Sequence, residues 1–228
     1  MHSATVHKNI KNGAGMRSKI LLALLPLLSL VGCLLIREPA DSSLKFNPDG
    51  ATGIIVGSIT HGQKKGSPDF AQIQFTKTDR KADGLVKSGA VLGFGSEGKD
   101  FPDDPTIRGT IFAFELPAGD YHFDVWYIQD SNIMISPSVR LQPLAFTVQP
   151  GSVTYVGNFF AEPVVVNNVL GTQTAVGGSA KWIDNFKRDL PLIAKKYPGI
   201  PLELITDKTM DDHAWVGVPM KRTVTIYH

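Results

Sequence analysis

Short runs of alternating apolar and polar residues, rich in β-branched and aromatic types, dominate the chain from position 53 onward. A period of two puts successive side chains on opposite faces of a strand, so these runs predict a β fold. The first is 54–60 (IIVGSIT). In 70–75 (FAQIQF), Ala71, Ile73 and Phe75 share one face, and Gln72 and Gln74 share the other. The run 110–116 (TIFAFEL) passes through Pro117-Ala118-Gly119-Asp120 into 121–128 (YHFDVWYI). Likewise 144–148 passes through Gln149-Pro150-Gly151-Ser152 into 153–160. Both read as hairpins, because Pro and Gly supply turn geometry between two apolar runs. Stretches 164–170 and 174–176 are weaker strand candidates, and 223–227 (TVTIY) reads as a closing strand.

One stretch changes period. In 180–197, Trp182, Phe186 and Leu190 recur at helical spacing, with Ile183 and Ile193 close to the same face. Pro191 interrupts the pattern and predicts a kink or two short helices, the second capped by Asp189. Lys195 and Lys196 suit a helix C-terminus, and Pro198-Gly199 ends it. Many short strands and one late helix predict a mainly β protein: one domain, 53–228, built as an antiparallel β-sandwich with a small C-terminal helical annex. Leu116-Pro117-Ala118-Gly119-Asp120-Tyr121 resembles the L-P-x-G-x-Y turn of carboxypeptidase-regulatory-like, transthyretin-like sandwiches. Phe146-Thr147-Val148 through Gly151 and Tyr155 is similar to the closing hairpin of small bacterial lipoprotein domains. The resemblance implies a transthyretin- or Ig-like sandwich and says little about function, since the turn is a structural device.

The N-terminal pattern is of another kind. Residues 16–33 read MRSKILLALLPLLSLVGC, with Arg17 and Lys19 before an apolar run, 20–31, broken only by Pro26 and Ser29. This is the layout of a secretory signal peptide, assigned to 1–32; the polar stretch 1–15 is long for such a leader, and Met16 fits better as the start. Leu30-Val31-Gly32-Cys33 resembles the lipobox of bacterial lipoproteins. The resemblance implies a diacylglyceryl group on the Cys33 thiol, cleavage before Cys33, acylation of the new amino terminus and, with Leu34 rather than Asp next, export to the outer membrane facing the periplasm. One acyl chain, at ~0.8 kcal/mol per buried methylene, holds a protein only marginally, whereas two or more anchor it stably. The alternative is an uncleaved membrane anchor at 20–36, whose 17 uncharged residues sit at the lower limit for a span. Residues 37–52 (REPADSSLKFNPDGAT) read as a flexible tether reaching on the order of 20 Å.

Charge changes the picture once the leader is set aside. The chain as a whole carries +2, but Lys8, Lys11, Arg17 and Lys19 all precede Cys33 and no acidic residue does. The remainder holds 19 basic and 21 acidic side chains, a mixed surface with no footprint for nucleic acid and no polybasic patch for anionic lipid. Cys33 is the only cysteine, which excludes an intramolecular disulfide and a multi-cysteine metal site.

Several motifs in 93–105 (GFGSEGKDFPDDP) fail on context. Gly93, Gly95 and Gly98 spell G-x-G-x-x-G, yet Asp100, Pro102 and Pro105 follow where a helix must start. Asp100 stands where a P-loop needs Ser or Thr, and Ser96 to Lys99 (S-x-x-K) lacks its partner elements. Asp100, Asp103 and Asp104 offer oxygen ligands without calcium-loop spacing and read as a solvated turn. His61, His122, His213 and His228 remain as candidates; His122 reads as a surface residue, and His213 beside Asp211 and Asp212 lacks a second strong ligand. Trp182 reads as core, while Trp126, in phase with His122 and Asp124, reads as an exposed aromatic contact. The expectation is therefore a membrane-anchored, non-catalytic binding or scaffolding module with an envelope or cell-wall partner, no cofactor, no metal and no catalytic residue. A hydrolase of the envelope and a carrier of a hydrophobic molecule are the alternatives. The long connections 76–90 and 95–108 are the expected contact surfaces.

Overall fold

The computed structural model describes residues 37–63, 69–78, 84–89, 99–167, 171, 173–211 and 213–224. The leader, Cys33, the alternative span at 20–36 and His228 lie outside the described residues. Within them the protein is mainly β with one α-helix, two sheets packed face to face and the helix as a third layer. In chain order the strands are β1 (Thr52–Gly62), β2 (Phe70–Lys77), β3 (Gly84–Lys87), β4 (Ile107–Pro117), β5 (Gly119–Asp130), β6 (Ile133–Pro137), β7 (Leu144–Val148), β8 (Val153–Asn167) and β9 (Gln173–Ile183). Helix α1 (Phe186–Lys196), β10 (Ile205–Asp207) and β11 (Met220–Val224) follow.

Sheet one runs β10-β8-β1-β4, with β9 beside the second half of β8; sheet two runs β11-β6-β5-β2-β3, with β7 beside the first half of β5. Most pairings are antiparallel, but β8 runs parallel to both β1 and β10. Ile55, Ile59, Ile73, Phe75, Phe112, Phe123 and Trp182 fill the space between the sheets. On the outer face of sheet one, Ile54, Val56, Ile111 and Tyr155 pack against Ile193 and Tyr197 of the helix layer. That second layer explains why 54–60 reads as an almost unbroken apolar run: β1 is covered on both faces.

The two expected hairpins are corrected. β4 belongs to sheet one and β5 to sheet two, and β7 and β8 are divided in the same way. Pro117 to Gly119 and Gln149 to Ser152 are therefore arches that carry the chain across the core. Each flanking strand has a longer partner elsewhere: β4 pairs with β1 from Thr52↔Pro117 to Gly62↔Ile107, and β5 pairs with β2. A hairpin and an arch both need apolar strands around a turn, so alternation cannot separate them. The Tyr121 hydroxyl donates to the Pro117 carbonyl (2.8 Å) and clasps the first arch. In the second, Gly151 has φ +59°, and a Cβ there would collide with the Pro48 carbonyl, so only glycine fits. A two-residue hairpin turns at Ser131-Asn132 between β5 and β6, with Ser131 left-handed at φ 51°, and β2 with β3 and β8 with β9 also pair as consecutive antiparallel strands.

The helical stretch is shorter than 180–197. Trp182 lies on β9 and points into the sandwich, where its ring meets Phe123 (4.8 Å) and Phe159 (5.6 Å). α1 starts after Asn185 and runs through Pro191 as one helix; Asp189 sits in its first turn and does not cap a second helix. Phe186, Leu190, Ile193 and Tyr197 form the stripe that packs on sheet one.

Residues 37–50 are not a loose tether. Arg37 bridges Gly84 on β3, the Ala40 N–H donates to the Ala113 carbonyl (2.8 Å), and the Phe46 N–H donates to the Gly199 carbonyl (3.1 Å). Leu44 and Phe46 pack against the helix layer. The segment thus straps the open side between the β3 and β4 edges, supplying partners to backbone that would otherwise be exposed. Two apolar residues in a polar stretch are enough to dock it.

Candidate binding sites and buried polar centres

A β-bulge in β5 overturns the reading of Trp126. Gln74 pairs with Val125 and Phe75 with Phe123, so Asp124 is an extra residue opposite the β2 ladder. Before it Tyr121 and Phe123 point inward; after it Trp126 and Ile128 do. Trp126 is 1% exposed and packs edge-on against Phe159 (5.9 Å), so it is a core residue. His122 and Asp124 stay on the outer side, with His122 Nε2 3.4 Å from Asp124 Oδ2.

The other sequence candidates are spread over the fold. His61 is fully buried, its Nδ1 2.6 Å from Ser88 Oγ, which also accepts the Ala71 N–H (2.7 Å). That contact ties β1 to the end of β3. The His213 N–H donates to Asp211 Oδ1 (2.9 Å) in a local turn; Asp212 lies outside the described residues. Asp100 is not a solvated acid: its Oδ2 accepts from Lys196 Nζ (2.6 Å) and the Ile111 N–H (2.8 Å), pinning the end of α1 to β4. Asp104 accepts from the Thr106 hydroxyl and N–H, and that pair of bonds holds its carboxyl below the usual range. Of the two long connections, 79–83 and 90–98 lie outside the described residues, and 84–87 is strand β3.

Among the described residues, one carboxylate is wholly buried. Asp189, in the first turn of α1, is 0% exposed and meets Ser58 of β1. Its Oδ2 accepts from the Ser58 hydroxyl (2.6 Å) and the Tyr155 hydroxyl (2.7 Å), and its Oδ1 faces Arg188 Nε and Nη2, both at 2.7 Å. Asn158 Nδ2 extends the network to Ser58 Oγ (2.8 Å) and Thr60 Oγ1 (3.0 Å). These groups bond to one another, and the network joins β1, β8 and α1, so its role is to seat the helix. Burial pushes the Tyr155 phenol far above the usual tyrosine range, and the Asp189 carboxylate adds to the effect; burial likewise raises Tyr197. A tyrosine with a raised pKa in the folded state contributes stability that is fully present below the unfolded value of about 10 and lost as pH rises beyond it. Urea midpoints are therefore expected to hold up to about pH 10 and then fall steeply, and Tyr155→Phe is expected to flatten that fall; an unchanged alkaline slope in the variant would refute it.

Two open sites border sheet two. A cleft of about 650 Å³ lies between the outer edge of β7 and the segment that follows β10. Phe146 and Met210 give it apolar surface, while Thr147, Ser152, Thr209 and Lys208 give it polar groups. The Thr147 hydroxyl donates to Asp120 (2.7 Å), that of Thr209 to Asp207 (2.7 Å) and that of Ser152 to the Gln149 carbonyl (2.7 Å). Their protons are committed, which leaves oxygen lone pairs for a ligand. The second site, of about 340 Å³, is a notch at the Asp124 bulge, where β7 stops pairing at Phe123 and β6 begins at Ile128.

No family model matches the chain, and no curated protein or solved structure is significantly similar to it.

Proposed function

We propose that the protein is a lipid-anchored, non-catalytic binding module of the cell envelope, attached through Cys33 and facing the periplasm from the outer membrane. The observation that carries the binding half is the cleft beside β7. It has the size of a small-molecule site and an apolar lining among hydroxyl oxygens. Hydroxyls whose protons are held by neighbouring carboxylates and a backbone carbonyl suit recognition of ligand donors better than nucleophilic attack, and this favours binding over an envelope hydrolase. The aromatic rings packed between the sheets argue against a carrier that would hold its cargo there.

The anchoring half rests on Leu30-Val31-Gly32-Cys33. With 37–46 docked on the domain, Leu34, Leu35 and Ile36 alone separate Cys33 from the folded body. Four extended peptide units span at most about 14 Å, so lipidation at Cys33 would keep the sandwich at the membrane surface. Cys33→Ser is expected to abolish incorporation of labelled fatty acid and to leave an uncleaved precursor. Wild-type protein with the precursor's full mass and no acyl groups would overturn the anchor.

A further inference from the structure

We infer that the notch at the Asp124 bulge is a binding site for an acetamido group carried on an amino sugar. The bulge itself points there. Without Asp124, β5 would alternate perfectly, with Tyr121, Phe123, Trp126 and Ile128 all inward, so packing has no need of the extra residue. Bulges that packing does not require commonly aim a side chain at a functional site. The inserted residue is a carboxylate, and its Oδ1 is buried without a hydrogen-bond partner among the described residues. The same holds for Trp126 Nε1, on a side chain 1% exposed. Both residues line the notch. Buried donors and acceptors are nearly always satisfied, so an unsatisfied acceptor and an unsatisfied donor on two residues lining one opening call for a ligand supplying the reverse pair.

A secondary amide supplies it, its N–H to Asp124 and its carbonyl to the Trp126 indole. An ammonium would satisfy Asp124 alone, would leave the indole N–H facing positive charge, and would meet Arg140, which also lines the notch. Val125, Val139 and Leu141 give the opening an apolar wall for an acyl methyl, while Ser136 and Arg140 offer hydrogen bonds to ring hydroxyls. The connection 138–143 lies outside both ladders and closes over the β5 edge, which leaves space for a single sugar unit rather than for an added strand. The site is separate from the cleft beside β7 and independent of the anchor.

The chain has three tryptophans, Trp126, Trp182 and Trp215, hence three indole N–H resonances in a ¹⁵N-correlated spectrum. Trp126→Phe assigns the one that matters; Trp215 already donates to the Gln142 carbonyl (2.9 Å). N-acetylglucosamine titrated into the folded protein is expected to move the Trp126 resonance saturably, while glucosamine and glucose at equal concentration leave it in place. Asp124→Asn, which keeps size and shape, is expected to weaken the effect about five- to tenfold, since a charged acceptor is replaced by a neutral one. Deleting Asp124 is expected to abolish binding yet preserve the dispersed spectrum of a folded domain. No shift at tens of millimolar sugar, equal shifts from glucose, or a shift from an N-acetylated amino acid amide but not from the sugar would each overturn the assignment.

Discussion

Asp189→Ala is expected to destabilise the domain by about 3 kcal/mol and to lower its melting temperature by roughly 6–12 °C. The carboxylate is wholly buried and accepts from Ser58, Tyr155 and Arg188 at once. Its removal leaves two hydroxyls without an acceptor and one guanidinium without its counter-charge. The Arg188 side chain is 32% exposed and can regain water, which places the expected loss at the low end for a broken buried pair. Ser58→Ala and Tyr155→Phe each remove one donor and should cost about 1 kcal/mol. Because all three act on one carboxylate, Asp189→Ala combined with Tyr155→Phe should cost less than the sum of the singles. Urea unfolding measures each term. A loss below 1 kcal/mol for Asp189→Ala, or strict additivity of the pair, would show that the helix is seated by its apolar stripe alone.

The class of fold was legible because alternation is a local signal, and most strands carry it. Topology was less so, and the failures have definite causes. At Pro117 to Gly119 the turn residues and flanking apolar runs suit a hairpin equally well, and the arch arises only because β1 and β2 compete for the two strands. Trp182 lies four residues before Phe186, so the end of a strand mimicked the start of a helix stripe. β6 and β10 are only five and three residues long, too short for alternation to separate a strand from a loop. The strap at 37–50 looks like a linker by composition, and only Leu44 and Phe46 betray its docking.

The candidate sites depend more heavily on information that no single strand or helix contains. Even so, the sequence holds two usable signals. In YHFDVWYI the inward residues change parity between Phe123 and Trp126, which is the mark of an inserted residue, and the insertion falls at Asp124. In α1, Asp189 lies three residues after Phe186, on the face that packs, so an acid there demands a buried partner. Ser58 and Thr60, the polar members of a strand covered on both faces, are the natural partners. What no pattern could reveal is the meeting of Asp124 with Arg140 and Leu141 at one opening, because that depends on where β7 stops pairing and β6 begins.

Phe75→Ala is expected to be at least as costly, at about 4–5 kcal/mol, or roughly 8–20 °C in melting temperature. Phe75 is fully buried and sits at the centre of four ring contacts: Phe114 at 4.9 Å, Phe123 at 5.9 Å, Phe146 at 6.0 Å and Tyr121 at 6.1 Å. All four are edge-on, a geometry that adds to simple burial. These rings come from both sheets and from strands that flank both arches, so truncation loosens the sandwich near where the chain crosses between its layers. Gly84 on β3 makes the test sharper. A Cβ at Gly84 would run into the Phe75 ring, so the glycine is there to admit the aromatic side chain. Gly84→Ala alone should therefore destabilise by about 1–3 kcal/mol through overpacking. In the Phe75→Ala background the same methyl enters the cavity left by the ring, and its effect should change sign to a partial rescue. Chemical denaturation of the two singles and the double measures this coupling. A Gly84→Ala substitution that is equally harmful in both backgrounds would mean that the glycine serves the backbone of β3 and not the packing of Phe75.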